Sequence, residues 1–276
     1  MQNLVYRSAG APGEFRWIVT RGQSGLKHIS FGRMIFGAVG KAMRLETHSD
    51  EMVIDVLSGK VSVSGRSPAG SFSYERIGSR DTPFDGLPTM VYVPRGSSFE
   101  VKAESANADI VIAAAPSKKD SAPKLVGKDE VAVKSVGASN WSRSVNTSIA
   151  DNVDADMLLI GETLNPPGNW SSAPPHKHDA KNTPPEALME EVYFFVFDPP
   201  QGFGLQRIYS GPDSPGQMDI AIPLEDGTTV AIPFGYHPVV AGPGYRMLYV
   251  WVLAGETREF GTWSDDPRHT WIKNTV

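Results

Sequence analysis

Two histidines one residue apart stand in the segment Gly168-Asn169-Trp170-Ser171-Ser172-Ala173-Pro174-Pro175-His176-Lys177-His178-Asp179. In an extended chain residues i and i+2 project from the same face, so His176 and His178 can present both imidazoles to one point. Glu190 and Glu191 follow a polar loop at the entrance to Val192-Tyr193-Phe194-Phe195. His237 comes just after Pro233-Phe234-Gly235, where a tight turn would open another strand. Three imidazoles and one or two carboxylates suit a borderline divalent ion (Zn, Mn, Fe, Co or Ni) and leave room for water or substrate. The chain has no Cys. Thiolate zinc sites, iron–sulfur clusters, disulfides and thiol nucleophiles are therefore excluded, and any metal must use His, carboxylate or carbonyl ligands.

The elements that would position these residues read as short strands. Met52 to Leu57, a Ser58-Gly59 turn and Val61 to Val63 set the style. It continues at 89–93, 99–102, 110–114, 192–197, 204–209, 228–232 and 246–253, all rich in Val, Ile, Tyr and Phe. The 27 Gly and 22 Pro in 276 residues break the chain too often for long helices, leaving an all-β sandwich or barrel. Only places such as Pro185 to Glu190 offer a turn or two of helix. The polar stretch Ser117 to Lys128 is the candidate linker.

The two halves resemble each other. Pro94 and Pro233 end matching strands in Pro-x-Gly at an offset of 139, and Glu51-Met52-Val53 answers Glu191-Val192-Tyr193 at an offset of 140. This implies two copies of one β-domain, 1–120 and 121–276. The ligand set is not repeated: His48 lies near Glu51 without a preceding His-x-His, and the 139 offset carries His237 back to Ser98. The first copy is thus expected to be structural and without a metal site.

Charge narrows the partners. The 26 Lys and Arg are scattered and outnumbered by 31 Asp and Glu, for a net charge of −5, which argues against nucleic acid. No run approaches the roughly 20 apolar residues of a membrane helix. Met1 to Arg7 lacks the basic start and apolar stretch of a signal peptide, so a soluble cytoplasmic protein is expected. Apolar strands at a barrel edge also leave a homo-oligomer open.

The His-x-His, Glu and later His motifs, with Pro-x-Gly turns, are similar to those of the cupin superfamily, here as a bicupin of two β-barrel (double-stranded β-helix) domains. More closely, GNWSSAPPHKHD, EEVYFF, PPQGFGLQRIYS, PFGYHPVVAGPGY and DPRHTWI, preceded by VLSGKVSV, PFDGLP and VYVPRG, resemble the 5-deoxy-glucuronate isomerase family of bacterial myo-inositol catabolism. The resemblance implies an aldose–ketose isomerase that turns 5-deoxy-D-glucuronate into 5-dehydro-2-deoxy-D-gluconate. By motif it implies His176, His178, Glu191 and His237 as metal ligands. Ala173, where an aromatic residue is usual, and Phe234, where Arg is usual, depart from the pattern at positions that bear on substrate rather than metal.

Such an isomerisation removes a proton from C2, delivers one to C1 and exchanges a proton between the two oxygens. A divalent ion chelating O1 and O2 would polarise the carbonyl and stabilise the enediolate. Glu190, Lys177, Asp179 and Tyr193 are the acid/base candidates, although strand alternation turns Glu190 away if Glu191 faces the metal. The substrate is a carboxylate, for which Arg207 and Lys177 are the first expected partners and Arg246 the next. Tyr249 is expected to line the same cavity. Two other readings share the motifs: a metal-containing sugar-acid-binding bicupin without turnover, and the related isomerase of 5-dehydro-4-deoxy-D-glucuronate.

Overall fold

The computed structural model describes residues 3–7, 12–180 and 186–274. Two large antiparallel sheets lie back to back, and each carries a four-stranded sheet on its outer side. The first large sheet runs in the order Lys124–Val126, Met90–Val93, Asp50–Ser58, Asp109–Pro116, Ser30–Ile35, Arg16–Val19. The second runs Val5–Arg7, Thr228–Ile232, Met189–Asp198, Arg246–Gly255, Leu159–Asn165, Arg143–Ile149, Ala132–Val136. Among the described residues, no helix is long and apolar enough to cross a membrane.

Unbroken apolar runs such as Val192-Tyr193-Phe194-Phe195 follow from burial on both faces of a strand. Val192 and Phe194 point, with Val250 and Val252, into a core between the large sheets that also holds Phe31, Val53, Tyr92 and Val111. Tyr193, Phe195 and Phe197 point the other way, against Ile208, Ile222 and Leu224 of the outer sheet. Met34, Ile54, Val63, Val101 and Ile110 form the corresponding core of the first half.

The expected all-β, bicupin-type architecture is the observed one, and the strands read from sequence are present within a few residues of their expected ends. The Ser58-Gly59 turn does more than reverse the chain. Asp50–Ser58 belongs to the large sheet, whereas Val61–Ser67 pairs with Ser98–Ala103 and Gly70–Ile77 in the outer one. Gly59 has φ +76°, and a Cβ there would lie 2.9 Å from the Ala108 backbone, so the crossing requires glycine.

Three expectations need correction. Of the stretch 185–190, Pro185 lies outside the described residues, 186–188 are not helical, and Met189 and Glu190 already belong to a strand. The expected linker is instead tied down: Ser117 and Ser121 are buried, the Ser121 hydroxyl donates to Asp154 O at 2.6 Å, and Lys124–Val126 pairs with Met90–Val93. Finally, the repeat has a single offset. Met52 pairs with Val93 and Glu191 with Ile232; from 52 to 191 and from 93 to 232 the shift is 139. Glu51 therefore corresponds to Glu190, not Glu191, and Met52 stands at the position of Glu191.

That register exposes a reciprocal clasp between the halves. The Glu190 carboxylate accepts the backbone N–H groups of Lys27, His28 and Ile29 at 2.6, 2.7 and 2.8 Å. The Glu51 carboxylate accepts those of Asp156, Met157 and Leu158 at 2.7, 2.8 and 2.8 Å. Between the clasps, buried Arg80 reaches across to Glu162 through two hydrogen bonds of 2.7 and 2.9 Å. Asp55 lies 3.6 Å from the same guanidinium, and burial together with the nearby Glu162 carboxylate pushes its carboxyl well up. A neutral Asp55 leaves the buried Arg80–Glu162 pair balanced in charge.

Hydrogen bonds to a buried charge contribute more than neutral ones. Glu51→Gln and Glu190→Gln should each lower the unfolding free energy by about 2–3 kcal/mol. Urea titration followed by Trp fluorescence would measure this, and a loss below 0.5 kcal/mol would show that the clasp contributes little.

Candidate active site

His176–Lys177 forms a two-residue strand against Ser264–Asp265. The parity expected of His-x-His follows: both imidazoles face a cavity of about 180 Å³, and Lys177 faces away. The Lys177 ammonium donates to Asp179 at 2.8 Å and to Glu186 at 2.9 Å, all three side chains being buried. Asp179 in turn accepts the Gly235 N–H and the Ser214 hydroxyl, each at 2.7 Å. Thus Lys177 and Asp179, interleaved with the histidines, pin the His-x-His segment to the turn that delivers His237. That turn requires glycine at 235, where φ is +98° and a Cβ would lie 2.8 Å from Tyr209 O.

His178, Glu191 and His237 converge, each offering an atom within 4.8 Å of the other two; they are the one such group among the described residues. His178 donates Nδ1–H to Met189 O at 2.8 Å, and His237 donates Nδ1–H to Gly235 O at 2.9 Å. With Nδ1 donating to a carbonyl, each ring turns its Nε2 towards Glu191. Both Nε2 atoms lie 3.2 Å from the same Glu191 Oε2, that of His178 within a hydrogen bond and that of His237 without a hydrogen-bond partner. Two imidazoles and a carboxylate, buried and converging on one point, are a donor set that suits a divalent metal. The residues present therefore fit a metal.

Burial opposes charge on Glu191, but the two adjacent imidazoles outweigh it and hold the carboxyl below its usual range. His178 is moved up by its contact with Glu191 despite burial. His176 lies outside the trio. Its ring packs edge-on to His237 at 4.9 Å and stacks on Trp263 at 5.0 Å. Burial and the neighbouring His237 and His178 hold it well below the usual histidine value.

The remaining sequence candidates separate clearly. Tyr193 and Tyr249 line the cavity with ring centroids 4.5 Å apart, their hydroxyls hydrogen-bonded to Ser172 at 3.2 Å and to Ser171 at 2.5 Å. Burial pushes both phenols up, Tyr193 strongly, with Glu191 adding to its shift. Glu190, Lys177 and Arg207 do not reach the cavity. Glu190 is saturated by the backbone of 27–29 on the opposite face of its strand, and Lys177 is held by Asp179 and Glu186. Arg207 is half-exposed on the outer sheet, paired with Asp219 at 2.8 Å and stacked over Tyr209 at 4.2 Å. Arg246 is likewise surface-paired, with Asp198.

Sequence reasoning missed Arg143, Lys134, Phe260 and Trp263, which complete the cavity wall. Arg143 and Lys134 sit on strands too polar to resemble core. Trp263 and Phe260 come from the C-terminal segment, which is anchored by Asp266: its N–H donates to Pro175 O at 2.7 Å and its carboxylate accepts the Tyr209 hydroxyl at 2.7 Å. Burial works against the Asp266 charge, but Arg268 and Tyr209 overcome it and bring the pKa down to about 2. A depressed carboxyl stabilises the fold above its unfolded pKa and loses that contribution as pH falls through the folded value. The Tm difference between wild type and Asp266→Asn should therefore be full at neutral pH and shrink as pH drops from about 4 towards 2. A difference independent of pH would show that the charge contributes nothing.

Comparison with known proteins bears on this geometry as a whole. The sequence matches the model of the KduI/IolB family over residues 4–272. It is 36% identical over 257 residues to the 5-deoxy-glucuronate isomerase of Geobacillus kaustophilus (strain HTA426), covering 92% of this chain and 89% of that one. With the 5-deoxy-glucuronate isomerase of Bacillus subtilis (strain 168) it shares 34% identity, over 92% and 91% of the two chains. The crystal structure of an IolB-like protein from Salmonella typhimurium LT2 superposes with a TM-score of 0.89 at 29% identity, over 98% of this chain and 99% of that one. Lactobacillus farciminis oxalate decarboxylase, at 10% identity and a TM-score of 0.69 over 100% and 91%, shares the fold. A family match across nearly the whole length, with relatives identical at about a third of their positions over nine-tenths of the chain, establishes that this protein belongs to the KduI/IolB family.

Proposed function

We propose that this protein is a metal-dependent aldose–ketose isomerase that converts 5-deoxy-D-glucuronate into 5-dehydro-2-deoxy-D-gluconate in the cytoplasm. The observation that carries the reading is the convergence of His178, Glu191 and His237 at a cavity of about 180 Å³, in a chain whose relatives of similar length are named for this reaction. His176, on the same face as His178, is the fourth ligand in this reading. The division into 1–120 and 121–276, with the site in the second part, belongs to it as well.

A divalent ion held by these residues would supply Lewis-acid polarisation of the substrate carbonyl and offset the charge of an enediolate. The protein's own groups do the rest. Nδ1–H bonds from His178 and His237 to backbone carbonyls hold the imidazoles in one tautomer and orientation. Of the four proton-transfer candidates suggested by sequence, Glu190, Lys177, Asp179 and Tyr193, Tyr193 alone lines the cavity. Its raised pKa keeps the phenol protonated at neutral pH. The phenol can thereby donate a hydrogen bond to a substrate oxygen, with Ser172 as its partner in the cavity wall. Trp263, Phe260 and Trp251 cover the cavity with apolar surface, which strengthens every polar interaction inside.

The test is turnover of 5-deoxy-D-glucuronate by purified protein of known metal content, with 5-dehydro-4-deoxy-D-glucuronate in parallel. Activity on the first substrate should disappear on chelation and return with a divalent ion. His237→Ala and Glu191→Gln should each lose at least about 10-fold in metal affinity, the lower end of the range seen when even supporting groups of a metal site are lost. Preference for the second substrate would reassign the branch of the family, and bound metal without turnover of either would favour a sugar-acid-binding protein.

A further inference from the structure

We infer that Arg143 receives the carboxylate of the sugar acid and thereby sets which end of the substrate meets the His178–Glu191–His237 trio; this rests on the isomerase reading above. Of the other buried or stacked arginines, Arg33 has Asp109, Arg80 has Glu162, Arg207 has Asp219, Arg246 has Asp198 and Arg268 has Asp266, whereas Arg258, outside the cavity wall, spends its donors on the carbonyls of Leu158 and Ala150. Arg143 has no carboxylate among the described residues. Its Nη1 donates only to the carbonyls of Trp141 and Ala173, at 3.2 and 3.3 Å, and its Nε is buried without a hydrogen-bond partner. A guanidinium fork with an unused donor, on the wall of the cavity, matches a carboxylate in charge and shape. Burial without a counter-anion holds its pKa below the usual arginine value, as expected of a cation lacking its partner.

The backbone around Arg143 holds it in place. Arg143, Val145 and Thr147 alternate onto the cavity face of their strand, as do Lys134 and Val136 on the neighbouring one. The turn before Arg143 passes through Gly137, at φ +80°, where a Cβ would lie 3.0 Å from Arg143 Nη1. The Asn169 amide donates to Ser142 O at 2.8 Å, clamping the residue next to Arg143 from within the Gly-Asn-Trp-Ser-Ser segment. The cavity therefore has two poles: a buried Glu and His group that fits a cation and the carbonyl end of a sugar, and a cationic wall of Arg143 with Lys134 at its rim. A hexuronic acid carries its carboxylate at C6, the end remote from the reacting C1 and C2. An orientation that brings the carboxylate to Arg143 and C1 and C2 to the trio satisfies both.

The experiment compares carboxylate with uncharged carboxamide on metal-loaded wild-type, Arg143→Gln and Arg143→Lys proteins. D-glucuronate and D-glucuronamide serve as binding probes by calorimetry, alongside KM and kcat for 5-deoxy-D-glucuronate. Wild type should prefer the carboxylate by about 10- to 100-fold, the range expected of a charge-assisted pair. Arg143→Gln should lose the preference to within about threefold through the carboxylate alone, raising KM more than it lowers kcat, and Arg143→Lys should recover part of it. A folded, metal-loaded Arg143→Gln that still prefers the carboxylate overturns the inference. If that variant does not fold, a wild type that binds both probes equally, or neither, overturns it too. An Arg143-dependent preference without turnover would support the carboxylate site while rejecting the isomerase reading, and turnover without that dependence would do the reverse.

Discussion

Adjacent carboxylates on one strand, Glu190 and Glu191, face opposite ways because successive side chains of an extended backbone alternate. Glu190 spends its oxygens on three N–H groups of the N-terminal half; Glu191 meets His178 and His237. The contact joining the halves and the group that organises the site thus share a peptide bond. A shift of register by one residue would put an apolar side chain at either the clasp or the site and a carboxylate among apolar side chains. The strand is held in place from both sides at once.

The same geometry explains why two sheets can be packed back to back with charged groups between them. Buried charge is tolerated only when its hydrogen-bonding capacity is met. Glu51 and Glu190 meet it with backbone donors, and Arg80 and Glu162 meet it with each other while Asp55 is pushed towards its neutral form. These contacts are directional, whereas the Val, Ile and Phe core around them is not. The apolar surfaces drive the halves together, and the carboxylates select the alignment.

Around the site the polar groups form a graded arrangement. Lys177, Asp179, Glu186 and Gly235 make a closed network behind the histidines, complete without a ligand. In front, His237 Nε2 and Arg143 Nε are buried without a hydrogen-bond partner. A folded chain leaves such capacity where something else will use it. Within the site, that contrast distinguishes the Lys177–Asp179–Glu186 network behind the histidines from His237 and Arg143 on the cavity side.

Much of this was legible in the sequence. Val-, Ile- and Phe-rich runs between Gly and Pro predicted an all-β chain, the His-x-His spacing placed two imidazoles on one face, and Pro-x-Gly placed His237 at a turn, because these are local consequences of backbone geometry. Composition alone excluded thiolate chemistry. What remained out of reach depended on contacts distant in the chain. Glu190, Lys177 and Arg207 have the right chemistry for a site, yet their partners at residues 27–29, 186 and 219 are settled only by folding. Arg143 lies in a polar stretch with no motif of its own, and acquires its meaning when its strand folds beside Leu159–Asn165 and brings it to the cavity without an anion. The sequence by itself determined the elements and the inventory of ligands, since alternation and turn chemistry act over a few residues; the tertiary structure decided which charges were left unpaired, because pairing is a property of three-dimensional neighbours.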